Sequence, residues 1–343
     1  MAARCACQKQ AGKYLLKWFM PCAGRKAGPL INAIVTQQGA IFDVRQFVIP
    51  ERCQTVANIR SRLFRLETSM KQHLFLPLLT YPDATSEFMI ANAVALAHHM
   101  QATLTVCAME ITIPDVSNAL SSLIIDAGKM ARDAGALSRK RASALTRMAV
   151  DAAKAACVDV RTREIKTAEP FVVEVLSEAS RAYDLVLLEA AGISRPIVEA
   201  VLFASGRPLI LYPSAPFGGR MDHVAIAWDG SCAAARAAHD ASFFLERASK
   251  VRLLSVIDEK PVKYETGDYL VENLLRSGVK AEATRVRAHG EPVGEVLQTK
   301  AFELRADLLV MGGFGHSRLR EFVLGGATQA VLTNISLPIL ISH

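Results

Sequence analysis

From residue 70 onward, short apolar runs rich in β-favouring residues alternate with longer stretches whose apolar positions recur every three or four residues. This alternation predicts a parallel sheet covered by helices. The pattern runs through twice. In the second pass, Val224 to Ala227 is a strand, Asp229-Gly230-Ser231 a turn, and an alanine-rich helix ends near Ala248. Val251 to Ile257 is the second strand, residues 268–277 a helix, Lys280 to Arg287 the third strand and Glu291 to Ala306 a helix. Leu308 to Met311 and Ile339 to Ile341 are the fourth and fifth strands.

The first pass follows the same order, with strands at Leu74 to Leu79, Thr103 to Met109, Val158 to Ile165, Leu185 to Leu188 and Leu209 to Tyr212. Helices are predicted at Ser86 to Met100, across a long stretch containing Leu137, Leu145, Met148 and Ala152, and at Pro170 to Arg181. Asp184 matches Asp307 before the fourth strand, and Pro208 matches Pro338 at the fifth. Seven fewer residues separate those anchors in the first pass, 24 positions against 31. Asp-Gly-Ser is missing there too, with Tyr81-Pro82-Asp83 in its place. The Pro/Gly-rich run Ser214-Ala215-Pro216-Phe217-Gly218-Gly219 marks the boundary, giving domains at 70–215 and 221–343.

Charge changes the picture only before residue 70. Residues 1–69 carry eleven Lys or Arg against three acidic residues, a net +8, whereas the whole chain of 343 residues is +7. The body is therefore near neutral, and a nucleic-acid-binding body is not implied. The first 69 residues are expected to be a poorly ordered basic extension outside the fold. An amphipathic surface-binding helix around Tyr14 to Met20 is the alternative. No apolar run approaches the roughly 18 residues of a membrane span. The seven scattered cysteines read as free thiols of a cytoplasmic protein.

One segment points to a chemistry. In ADLLVMGGFGHSRLREFVLGGATQAVL, Gly312, Gly315 and Gly325 follow an apolar strand and open a helix. Glycines at such a crossing let a backbone approach a phosphate chain, and a helix N-terminus offers free N–H groups. With its strand, its spacer and the final strand Leu337 to Ile341, this segment resembles the universal stress protein family. The family's nucleotide loop has this glycine spacing followed by Ser or Thr. Gly326 stands where ATP-binding members usually carry that hydroxyl, and Thr328 is the substitute two residues on.

The resemblance covers residues 70–343 and implies a tandem two-domain α/β protein. Each domain is Rossmann-like (adenine nucleotide α-hydrolase-like), a five-stranded parallel sheet of order 3-2-1-4-5, and the two pack as an internal pseudo-dimer. It implies that Asp229 contacts the nucleoside and that backbone at Val256 lies against adenine. The phosphates would be cradled by Gly312, Gly315, Gly325 and the N–H groups of Gly326 and Ala327. Asp229 also reads as a turn or helix-capping residue, and Val256 as ordinary core. Ser317 and His316 are placed either to reach a phosphate or to face solvent.

Gly-x-Ser-x-Gly, Walker-type and HExxH motifs and metal-spaced His/Cys clusters do not occur in the sequence. The expectation is therefore a stress-responsive binding protein whose C-terminal domain takes ATP, with hydrolysis slow at most. The first domain is expected to be degenerate. The competing class is a structural or interaction module that binds no nucleotide and meets a protein partner through its paired sheets. Further homodimerisation is left open beside the internal pseudo-dimer.

Overall fold

The computed structural model describes residues 71–114, 126–190, 195–258, 264–313 and 334–343, together with the backbone of four strands before residue 42. The chain divides into two compact units, Met1–Ser69 and Met70–His343. In the first, β1 (Arg4–Gln10), β2 (Lys13–Phe19), β3 (Leu30–Thr36) and β4 (Gly39–Ile41) form an antiparallel meander. The sequence reading gave this segment no regular structure, and Tyr14 to Met20 a helix as the alternative. β2 and β3 fall on its apolar, aromatic and β-branched runs, KYLLKWF and LINAIVT.

The second unit alternates strand and helix. In order come β5 (His73–Leu78), α1 (Glu87–Met100), β6 (Thr103–Thr112), α2 (Ala127–Ala155), β7 (Val160–Ala168) and α3 (Val172–Ser180). After these, β8 (Leu185–Glu189) leads to α4 (Arg195–Ala200), a π-helical turn Val201–Ser205 and β9 (Leu209–Tyr212). The chain continues through β10 (His223–Ala227), α5 (Cys232–Asp240), α6 (Ser242–Leu245), β11 (Lys250–Val256) and α7 (Tyr264–Arg276). It closes with β12 (Ala281–Val286), α8 (Val293–Glu303), β13 (Leu308–Gly312) and β14 (Ile339–Ser342).

These ten strands make one sheet, in the order β12-β11-β10-β13-β14-β9-β8-β5-β6-β7. The expectation of two separate five-stranded sheets is corrected here. All neighbours run parallel except β14 and β9, which pair antiparallel with Ile339 opposite Leu211, Leu340 opposite Ile210 and Ile341 opposite Leu209. Both strands are short, wholly apolar at these positions and without a charge or proline that would blunt an edge. Left unpaired, each would present a row of bare N–H and C=O groups; pairing satisfies both at once.

Side-chain alternation sends successive residues to opposite faces of the sheet. Leu74, Leu187, Ile210, Ile226, Val310 and Leu340 face one cluster, covered by α1, α2, α5, α6 and α7. Phe75, Val186, Leu211, Ala225, Leu309 and Ile339 face the other, covered by α3, α4 and α8. Each cluster runs without interruption across the β14–β9 junction. The outer strands close the sheet differently: β7 exposes Arg161, Arg163, Glu164 and Lys166, and β12 exposes Glu282 and Arg285, charges that discourage edge-to-edge growth.

The two passes share a local device. Asp184 Oδ2 accepts from His73 N at 2.8 Å while Asp184 N donates to His73 O at 3.0 Å. Asp307 does the same with His223, at 2.8 Å in both directions. Each aspartate thus pins the start of the fourth strand to the start of the first.

The junction yields a direct prediction. Leu340 and Ile210 are fully buried, face the same cluster and lie opposite each other. Leu340→Ala and Ile210→Ala should each destabilise residues 70–343 by about 2–5 kcal/mol in denaturant titrations. The double variant should depart from additivity by about 0.5 kcal/mol or more, as neighbours in contact do. Strict additivity would mean that the two strands do not share this register.

Candidate functional site

An open parallel sheet binds ligands beyond the C-terminal ends of its strands, at the point where strand order reverses. Within residues 221–343 the reversal lies between β10 and β13, because β11 extends the sheet on one side and β13 on the other. Asp229 follows β10 and Gly312 ends β13, so two sequence-predicted residues flank this crevice. Val256 ends β11, one strand away, its side chain buried in the core and its position paired with Val286.

The local geometry is that of a capped helix start. Ser231 Oγ accepts from Ala234 N at 3.1 Å, and Asp229 Oδ1 accepts from Ser231 N at 3.0 Å. Gly230 between them has φ of +75°, a conformation open to glycine. The Asp-Gly-Ser triplet therefore builds a turn whose first carboxylate lies exposed at the mouth of α5. Gly312 meets the same turn from the other wall. A Cβ there would sit 2.5 Å from the carbonyl carbon of Ala233 and from Ala234 N. The missing side chain at 312 lets the first turn of α5 rest directly on the end of β13.

Two residues that the sequence reading did not single out complete the rim. Trp228 is half-buried, donates its indole N–H to Thr266 Oγ1 at 3.1 Å and packs against Gly267, holding α7 to the end of β10. Asp258 spans two loops: its Oδ1 accepts from Ala288 N at 2.7 Å and its Oδ2 from His289 N at 2.9 Å. These two backbone N–H groups hold its carboxyl below the usual carboxylate range. A lone Asp after a strand carries no sequence signal for such a clamp, which depends on the loop after β12 arriving beside it.

Gly315, Ser317, Gly325, Gly326, Ala327 and Thr328 lie outside the described residues. Among the described residues, no group of three or more His, Cys, Asp or Glu could hold a metal ion, and no helix is long and apolar enough to cross a membrane.

Residues 221–343 match the universal stress protein family. A segment of 67 residues is 37% identical to universal stress protein Slr1230 of Synechocystis sp., covering 20% of this chain. That match spans 22% of the relative's length. A universal stress protein from Archaeoglobus fulgidus superposes on 79% of this chain and 96% of its own, with TM-score 0.60 and 18% identity. That likeness extends the shared fold well beyond the C-terminal match. A universal stress protein solved in complex with cAMP aligns with 43% of this chain and 100% of its own, at 18% identity and TM-score 0.28.

The Asp258 clamp should be sensitive to acid. Its depressed pKa means that the charged carboxylate favours the folded arrangement; the contribution is complete above the unfolded value, near 3.8, and is lost as pH falls through the lower folded value. The Ala288 and His289 amides should stay protected in hydrogen exchange at pH 5. Asp258→Asn should weaken that protection at neutral pH and leave little further change on acidification. Equal acid sensitivity in parent and variant would remove Asp258 from this role.

Proposed function

We propose that the chain is a stress-responsive binding protein of the universal stress type. It is a tandem of two such domains, 70–215 and 221–343, the second binding one adenine nucleotide, ATP, at the β10–β13 crevice. The observation that carries the reading is the place of that crevice: Asp229 and Gly312 flank the strand-order reversal inside the segment that matches the family. Asp229, exposed at the mouth of α5, is the group offered to the nucleoside, and backbone at Val256 the neighbour of the base. The run containing Gly315, Ser317, Gly325, Gly326, Ala327 and Thr328 is assigned the phosphates on its sequence, through backbone N–H groups and the Ser and Thr hydroxyls.

The chemistry proposed is binding, with hydrolysis slow at most, in a cytoplasmic protein whose two halves pair internally. A phosphate cradle without a positioned base orients a nucleotide but does little to activate water. One observation favours a second reading, an interaction module that takes no nucleotide. Asp229 and Gly312 each already have an internal contact, to Ser231 N and to the α5 backbone, that accounts for their identity.

Calorimetric titration separates the two. The proposal expects one ATP per chain, a loss of about tenfold or more in affinity for Asp229→Ala, and a gain of roughly two- to twelvefold for Gly326→Ser, which adds one neutral hydrogen bond. Two equivalent sites would contradict the degenerate first domain. Absence of binding in the folded parent, with no adenine nucleotide released on denaturing the freshly purified protein, would establish the interaction module instead.

A further inference from the structure

The second crevice of the sheet, between β5 and β8, has the same architecture and a different content. Counting from the paired positions Leu74↔Leu185 and Val224↔Leu308, Leu79 stands where Asp229 stands, which corrects the sequence's placing of Tyr81-Pro82-Asp83 there, and Glu189 stands where Gly312 stands. Both halves begin the following helix with a serine cap: Ser86 Oγ accepts from Met89 N at 3.1 Å, as Ser231 Oγ does from Ala234 N. In both halves the serine's own N–H is held by a carboxylate at 3.0 Å. The carboxylates come from opposite walls. Ser231 is served by its near neighbour Asp229, whereas Ser86 is served by Glu189 Oε2, reaching from the end of β8 across the crevice.

Glu189 has a second partner. Its Oε1 accepts from Ser214 Oγ at 2.7 Å, which ties the carboxylate to the segment joining the two halves. That segment is then clamped residue by residue. Asn92, 1% exposed on α1, donates Nδ2 to Ala215 O at 2.8 Å and accepts Phe217 N on Oδ1 at 2.7 Å. Phe217 meets the buried Tyr212 ring edge-on, 6.5 Å between centroids. Gly219 has φ of +69°, and a Cβ there would lie 2.3 Å from the Ala95 carbonyl carbon, so the linker runs against the α1 backbone where no side chain fits.

We infer that the β5–β8 crevice is a self-occupied site, in which the Glu189 carboxylate, tied to Ser214 at the start of the linker, takes the place of an external anionic ligand. Glu189 places a negative charge of the chain's own at the helix N-terminus, on the Ser86 N–H that an anion would meet there. The buried Asn92 then fastens the linker along α1 with both ends of its amide. The first half is closed by its own chain, whatever the second half binds.

Hydrogen exchange on the full chain, read by mass spectrometry over peptides containing Ser86 and Phe217, tests this. In the parent, the Phe217 amide should be protected although it lies in a loop. Asn92→Ala removes two hydrogen bonds and should speed exchange of the 214–219 peptide by about tenfold or more. The near-isosteric Glu189→Gln should speed exchange at Ser86 and in the linker while α1 beyond its first turn and β9 stay protected, showing an intact fold. Millimolar inorganic phosphate should leave both peptides of the parent unchanged. Linker exchange at the unprotected rate in the parent would overturn the inference, as would unchanged exchange in both variants. Phosphate protection of Ser86 in the parent would overturn it too, since the crevice would then be open. None of these outcomes depends on ATP binding by residues 221–343.

Discussion

Leu209, Ile210 and Leu211 lie antiparallel to Ile341, Leu340 and Ile339, all six side chains fully excluded from water. This short pairing is the constraint on which the rest of the unit depends. Each strand is the last of its half, and its outer edge would otherwise face solvent as a flat apolar template. Joined, they become the two central strands of ten, with α1 to α8 covering both faces. The most vulnerable edge of each half becomes the best-protected part of the whole. The strands left outermost, β7 and β12, are the ones that carry exposed charge.

The same geometry explains how two similar halves hold dissimilar crevices. The aspartates at 184 and 307 fix the first and fourth strands in the same register, so each half presents the same two walls and the same capped helix. What differs is which wall supplies the carboxylate. An aspartate beside the cap closes a local turn and leaves the opposite wall to a glycine, against which the helix backbone rests. A glutamate on the opposite wall must cross the crevice to reach the cap, and in crossing it takes up the opening. Leu79 in place of Asp229 and Glu189 in place of Gly312 thus change which wall holds the helix cap.

Much of this was legible in the sequence. The alternation of apolar runs located the strands of the sheet, because the inner ones are buried on both faces and read as continuous hydrophobic stretches. Asp184 and Asp307 were visible as matching anchors, and Asp229 and Gly312 as flanking residues. The joining of the sheets was not legible, since nothing in LILY or ILIS states which strand will lie beside it. Glu189 was within reach: aligning the aspartate anchors puts it opposite Gly312. Its role still could not be read, because it depends on Ser86 and Ser214, 103 and 25 residues away. Asn92 was hidden for the same reason, a polar residue on an apolar helix face whose partners lie 123 and 125 residues on.

The most direct test of the account asks whether the β9–β14 pairing holds the halves together without the covalent connection. A protease site at Gly218, where a side chain would meet nothing within 4 Å, allows the linker to be cut in the folded protein. Native mass spectrometry of the cut chain should show one particle containing both fragments, which separate only when denaturant dissolves the sheet. Fragments that part under native conditions, each retaining its secondary structure, would mean that the two halves are independent sheets and that the shared core described here is not what joins them.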